Sequence, residues 1–211
     1  MSDLKPILMI LHTNQTDGST LYKLLSGLII PRPIGWISTI SDDDINNLAP
    51  FSFFNAVSED PPHVMFSMVR PNHHNKDTLN NILSNKQFVV NFFSEHLVEQ
   101  MNITSESVPS NVDEFALAGL TPISSEVVKP SRVQEAQAHF ECECVHHYFT
   151  EGHQNGGACV IIGKVLVMHI DEEILLDNYK INLEKYRPVA RLAGSNYSKM
   201  GEIFSIKRKA P

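Results

Sequence analysis

Short runs of β-branched and aromatic residues, separated by proline and acidic turns, constrain this chain more than any other feature. Residues 34–40 read as a strand, with Ile34, Trp36, Ser38 and Ile40 on one face and Ile37 and Thr39 on the other. Further strands are expected at 48–57, 63–69 and 87–93, and two long ones at 138–149 and 158–170. Asp60, Pro61 and Pro62 break the chain after the second strand, because proline lacks a donor and restricts its predecessor. The turn-like stretch 152–157 joins the last two strands. Helical spacing is confined to 76–83, with Asp77 or Thr78 as N-cap, and to a short segment capped by Ser94 that carries Leu97, Val98 and Met101. A helical turn at 21–25 precedes an extended 29–33, and 105–130 is turn-rich apart from an apolar piece at 115–120. No strand–helix–strand alternation is present, so the expected fold is mainly β: an antiparallel barrel with a few short helices. With no internal repeat, low-complexity tract or linker, 1–211 reads as a single domain.

Charge and cysteine usage remove several classes of function. The 17 Lys and Arg stand against 24 Asp and Glu, and the net charge of −7 opposes binding to nucleic acid or an anionic membrane. No apolar run approaches the roughly 18–20 residues of a membrane span; the best, 158–168, is broken by Lys164. The apolar run at 6–11 is too short for a signal-peptide core and lacks a small-residue cleavage site. Three Cys without a secretion signal point to free thiols and a cytoplasmic location. The glycine patterns of Rossmann and P-loop domains, the hydrolase elbow and the H-E-x-x-H zinc helix are all absent.

Three clusters carry chemistry. The first runs from Pro31 through Arg32, Trp36 and Ser38 to Thr39, and the second from Asn47 through Ala49, Pro50, Phe51, Ser52 and Phe53 to Asn55. The third is Lys76-Asp77-Thr78 at a helix start. Ser52, Thr78 and Lys76 offer two hydroxyls and a cation, and a helix start adds free N–H groups and a positive dipole end, a combination suited to phosphate. Trp36, Phe51, Phe53 and Phe54 supply flat apolar surface, while Ser38, Thr39 and the backbone beside Pro50 suit the polar edge of a ring. FMN meets all three demands, and on the residues alone it is one of several phosphate ligands that would. Each feature also has a plain structural reading: aromatic residues on strands pack cores, and Lys-Asp-Thr caps a helix.

Read as one string from Pro31 to Pro62, the first two clusters resemble the signature of the flavin reductase-like, FMN-binding split-barrel family. Lys76-Asp77-Thr78 and the later Pro188-Val189-Ala190-Arg191-Leu192, with Tyr197 and Gly201-Glu202, are similar to family patterns too, so the resemblance covers about 22–211. It implies a Greek-key-related split barrel, usually a homodimer, with FMN near the subunit interface and NAD(P)H-dependent reduction of flavin. Electrons would pass through FMN to a flavin or another second acceptor; the alternative is a non-catalytic electron carrier of flavoredoxin type. By the same resemblance Trp36, Ser38 and Thr39 line the ring and Ala49, Pro50, Phe51, Ser52 and Phe53 contact the cofactor. Lys76 and Thr78 take the phosphate, and Arg191 reaches the cofactor from the C-terminal segment. Ala193-Gly194 stands where relatives often carry paired glycines.

No catalytic acid or base is assigned, because hydride chemistry belongs to the cofactor while the protein orients it. Cys142, Cys144 and His146 would share one face of an ideal strand, yet the outer pair would lie about 13–14 Å apart at Cα, too far for one tetrahedral site. No metal is therefore assigned. The thiols read as buried, and His139, His146, His147 and His153 as surface residues.

Overall fold

The computed structural model describes residues 8–152 and 156–207. Pro6, Ile7 and the turn residues His153, Gln154 and Asn155 lie outside the described residues. The strands are β1 (Gly35–Ile40), β2 (Asn46–Phe51), β3 (Phe54–Glu59), β4 (Pro62–Val69), β5 (Gln87–Phe92), β6 (Pro122–Ile123), β7 (Arg132–Val133), β8 (Ala138–Phe149) and β9 (Ala158–Ile170). Four short ones follow, β10 (Leu175–Leu176), β11 (Lys180–Ile181), β12 (Val189–Arg191) and β13 (Tyr197–Lys199). The helices are α1 (Gly18–Leu28), α2 (Asp77–Asn85), α3 (Val98–Ile103), α4 (Glu114–Ala118) and α5 (Leu183–Tyr186).

Seven strands form one sheet in the order β2-β1-β5-β8-β9-β4-β3, with every pairing antiparallel. Its two edge strands, β2 and β3, are consecutive in the chain, so the sheet has to curl until its edges meet. The Phe53 carbonyl closes the turn by accepting from Ser67 N–H at 2.9 Å. The mainly β barrel expected from the segment pattern is thus present. Inside it, Ile37, Phe66, Phe88, Val90 and Ile161 pack with the thiols of Cys142 and Cys159. Gly163 permits this closeness: a Cβ there would fall 2.2 Å from the Phe88 ring. A second core outside the barrel joins Trp36, Phe93, Met101, Phe115 and Val133.

Several local expectations are corrected. The strand expected at 48–57 is two strands broken at Ser52–Phe53, because β2 pairs with β1 while β3 turns to pair with β4. The N-cap of α2 is Lys76, not Asp77 or Thr78, and Ser94 makes no side-chain cap, its hydroxyl meeting His96 Nδ1 at 2.7 Å. The helical turn expected at 21–25 extends over all of α1, whose N–H groups at Ser19 and Thr20 are capped by Asp17. In β8 the register shifts between Cys144 and His146, so the two thiols stay buried while His146 is exposed. His139, expected at the surface, is buried, with Nε2 2.7 Å from the Val133 carbonyl.

Glu141, fully buried on β8, holds the 124–130 loop. Its carboxylate accepts from the N–H groups of Glu126 and Val127 at 2.7 Å and lies 2.7 Å from His169 Nε2. Burial alone would push this carboxyl up; the backbone donors and His169 outweigh it and hold it below the ordinary range. A depressed carboxyl contributes stability that is present above the unfolded value, near pH 4.3, and lost as pH falls through the folded one. Glu141→Gln is expected to cost about 1–3 kcal/mol at pH 7. It should also flatten the loss of stability below pH 4, as read from urea midpoints at pH 7 and 3.5. An unchanged acid dependence would mean that Glu141 does not hold the loop.

Candidate functional site

The break between β2 and β3 is where the barrel turns chemistry outward. In β2, Pro50 sits opposite Trp36 of β1 on the outer edge of the sheet, where its missing N–H leaves no ladder bond unmade. Beyond it Ser52 and Phe53 leave the ladder and stay partly exposed, whereas Phe51 and Phe54 turn into the barrel core. The Phe53 ring lies under the Arg32 guanidinium, 5.8 Å from its centroid, and the Phe51 ring lies 5.7 Å from Lys76 Nζ. One four-residue corner therefore touches two cations that arrive from different elements.

Lys76 stands exposed at the start of α2. Arg70, on the same connecting segment, donates to Asn75 Oδ1 at 2.8 Å and to the His73 carbonyl at 3.0 Å. Among the described residues neither cation has a carboxylate within 4.0 Å. A buried polar network fixes the helix start beneath them. Asn47 Oδ1 accepts from Thr39 Oγ1 at 3.0 Å and from Thr78 Oγ1 at 2.8 Å, and Asn81 Nδ2 donates to Thr39 Oγ1 at 3.0 Å. Asn47 Nδ2 in turn donates to Glu114 at 2.8 Å. Burial raises the Glu114 carboxyl, against the donors from Leu48 and Asn47. This network ties α2 to β1, β2 and α4, so the cationic end of α2 is held at a set place beside the barrel corner.

At the other side of the corner, Arg32 is only 4% exposed. Its guanidinium donates to the carbonyls of Ser26, Ile29 and Leu192 at 2.5, 2.9 and 3.0 Å and to Ser52 Oγ at 3.3 Å. Its backbone exchanges two hydrogen bonds with Arg191, at 3.0 and 2.9 Å. Arg191 donates to the Tyr197 hydroxyl and to the Gly194 carbonyl. A pocket of about 220 Å³ opens there, bordered by Pro50, Ser52, Asn102, Arg191 and Tyr197. Tyr22 is shared between this pocket and a groove of about 1010 Å³ that runs along α1 past Lys23, Val69 and Asn72.

The residues singled out in the sequence thus fall into two groups. Pro50, Ser52 and Arg191 border one pocket, Phe53 is partly exposed under Arg32, Ala49 packs against the barrel core, and Lys76 stands over Phe51. Trp36, Ser38, Thr39 and Thr78 do not present side chains to it. Each is at most 1% exposed and already bonded: Trp36 Nε1 to Thr104 Oγ1 at 2.9 Å, Ser38 Oγ to the Ser131 carbonyl at 2.6 Å, and both threonines to Asn47. In the structure these four side chains support β1 and α2 from within. Arg32, Tyr22 and Asn102 were given no site role by the sequence. Their place depends on α1, α3 and the C-terminal hairpin meeting at one corner, which no local spacing encodes.

The family model of the flavin reductase like domain matches residues 26–187. An uncharacterized protein of Aquifex aeolicus is 48% identical over 186 residues, spanning 88% of this chain and 92% of that one. Among solved structures, nitrilotriacetate monooxygenase component B from Bacillus cereus superposes with a TM-score of 0.91 at 35% identity, covering 96% of this chain and all of its own, 100%. Flavoredoxin of Desulfovibrio vulgaris shares the fold, with a TM-score of 0.72 at 23% identity over 84% of this chain and 91% of its own.

Proposed function

The chain belongs to the flavin reductase-like domain family, and on that premise we propose that it is an FMN-binding oxidoreductase that takes electrons from NAD(P)H and passes them to a second acceptor. The observation that carries this reading is the barrel corner at 50–53, which lies between the cations of the α2 start and a donor-lined pocket. Its residues fit FMN: Lys76 and the first N–H groups of α2 suit the phosphate, while Pro50 to Phe53 offer backbone, a hydroxyl and a ring face. When bound, FMN supplies the electron chemistry of the site. The chain's part is to hold the phosphate at Lys76, to orient the ring against the corner and to leave an approach for the nicotinamide. The groove along α1 falls at the upper end of the roughly 300–1,000 Å³ usual for small-molecule sites, and it meets the corner pocket at Tyr22.

The working unit is a homodimer of single-domain subunits. Leu24, Leu25, Leu28, Ile29 and Ile30, along α1 and just after it, are exposed, as are Ile203, Phe204 and Ile206 near the C-terminus. A second copy of this chain would cover them, and light scattering should give twice the 23.7 kDa chain mass; a monomer that holds FMN would refute the dimer as the working unit. No helix among the described residues is long and apolar enough to cross a membrane. The buried free thiols of Cys142, Cys144 and Cys159 support a cytoplasmic location, and fractionation of cells would test it.

Anaerobic mixing of the FMN-loaded protein with NADH, and separately with NADPH, tests the activity. Loss of the oxidised-flavin absorbance with either nucleotide is expected. A protein that holds FMN but is bleached by neither is a carrier fed by a partner.

A further inference from the structure

The polar side of the pocket beside Arg191 presents hydrogen-bond donors. Ser52 Oγ already accepts from Arg32 Nε, which leaves its own proton free to donate. The Tyr197 hydroxyl accepts from Arg191 and donates to Asn102 Oδ1 at 3.4 Å, so the Asn102 amide has its NH₂ left to give. Ser105 differs, since it donates to the Asn102 carbonyl at 2.6 Å.

Neither guanidinium at this corner is neutralised. Every acceptor that Arg32 and Arg191 use is a carbonyl or a hydroxyl, and among the described residues no carboxylate lies within 4.0 Å of either. In a chain with 24 acidic against 17 basic residues, two adjoining arginines without an acid form a local positive field inside a negative protein. The walls are otherwise apolar or flat, from Tyr22, Ile34, Pro50 and Met101. At about 220 Å³ the space is below the range of ordinary ligand pockets and fits one small ring or short chain with its charged group.

We propose that this pocket binds the carboxylate of a compact organic acid, with Arg191 as its charged ligand and Asn102 as its neutral donor. A planar guanidinium fork matches a carboxylate in two bonds, which a neutral amide of the same shape does not offer. Arg191 thereby receives a ligand other than the flavin phosphate, which the α2 start takes. The inference uses the flavin reading only to place the acid beside the ring; the pocket itself belongs to the protein with or without FMN.

Calorimetric titration with benzoate, benzamide and inorganic phosphate, on the protein with and without FMN, tests it. Benzoate should bind about ten- to hundred-fold more tightly than benzamide, the span expected for a charge-assisted contact. Arg191→Met should abolish that preference, and Arg191→Lys should retain part of it. If Arg191→Met does not fold, Asn102→Leu should narrow the preference by removing a neutral donor. Equal binding of benzoate and benzamide, no binding of either, or displacement of benzoate by phosphate at equal concentration overturns the proposal. So does an Arg191→Met protein that loses FMN affinity while keeping the benzoate preference. Failure of the protein to bind FMN, with the benzoate preference intact, would count against the flavin reading alone.

Discussion

Trp36→Ala is expected to lower the free energy of unfolding by about 3–5 kcal/mol. The indole is fully buried, meets the Phe93 ring edge-on at a centroid distance of 5.5 Å and donates to Thr104 Oγ1. Its removal leaves a cavity in the core outside the barrel and an unsatisfied contact at Thr104. Set against a total of roughly 5–15 kcal/mol for a typical domain, such a loss would leave much of the protein unfolded at moderate urea. Trp36→Phe keeps most of the volume and loses the hydrogen bond, so its cost should be nearer 1–2 kcal/mol. Urea midpoints of the two variants give the comparison. If Trp36 instead faced the flavin, Trp36→Phe would weaken FMN binding several-fold while leaving the midpoint in place.

Lys76→Met should weaken FMN binding about ten- to hundred-fold, equivalent to roughly 1.5–3 kcal/mol for one charge-assisted contact. The side chain is exposed at the N-cap of α2 with no acid within reach among the described residues, so its removal leaves no unpaired buried charge. Stability should accordingly change by no more than about 0.5 kcal/mol. Riboflavin has the ring without the phosphate and should bind both proteins alike. Equal weakening of both ligands, or of neither, would return Lys76 to the status of a solvated charge. Thr78→Val is a useful contrast, because the Thr78 hydroxyl is bonded to Asn47 inside the protein and any effect on FMN would pass through the position of α2.

The long strands were legible because alternation over a dozen residues admits one structure, and both 138–149 and 158–170 coincide with β8 and β9. The break at Ser52–Phe53 was not legible. Pro50 two residues earlier sits inside β2 and ends nothing, and the break exists because barrel closure hands the Phe53 carbonyl to Ser67. The same limit explains Trp36. Period-2 spacing assigns a residue to one face of β1, but it does not say that both faces are covered, one by the barrel interior and the other by the core around Met101 and Phe115. For the site, the clusters contain Pro50, Ser52 and Lys76, while Arg191 entered only through the family resemblance. The burial of Arg32 was hidden because one of its acceptors, the Leu192 carbonyl, comes from 160 residues away. His146 was read as a surface residue and is one, but the bulge in β8 that turns it away from the face of the thiols carries no mark in the sequence.

A titration of the wild-type protein with FMN and with riboflavin, followed by flavin fluorescence at fixed ionic strength, tests the flavin site most directly. The expected result is saturable binding of FMN, with riboflavin at least tenfold weaker because it lacks the group held at Lys76. Absence of saturable FMN binding, or riboflavin binding as tightly as FMN, would contradict the assignment of the corner at 50–53 and the α2 start as a flavin-phosphate site.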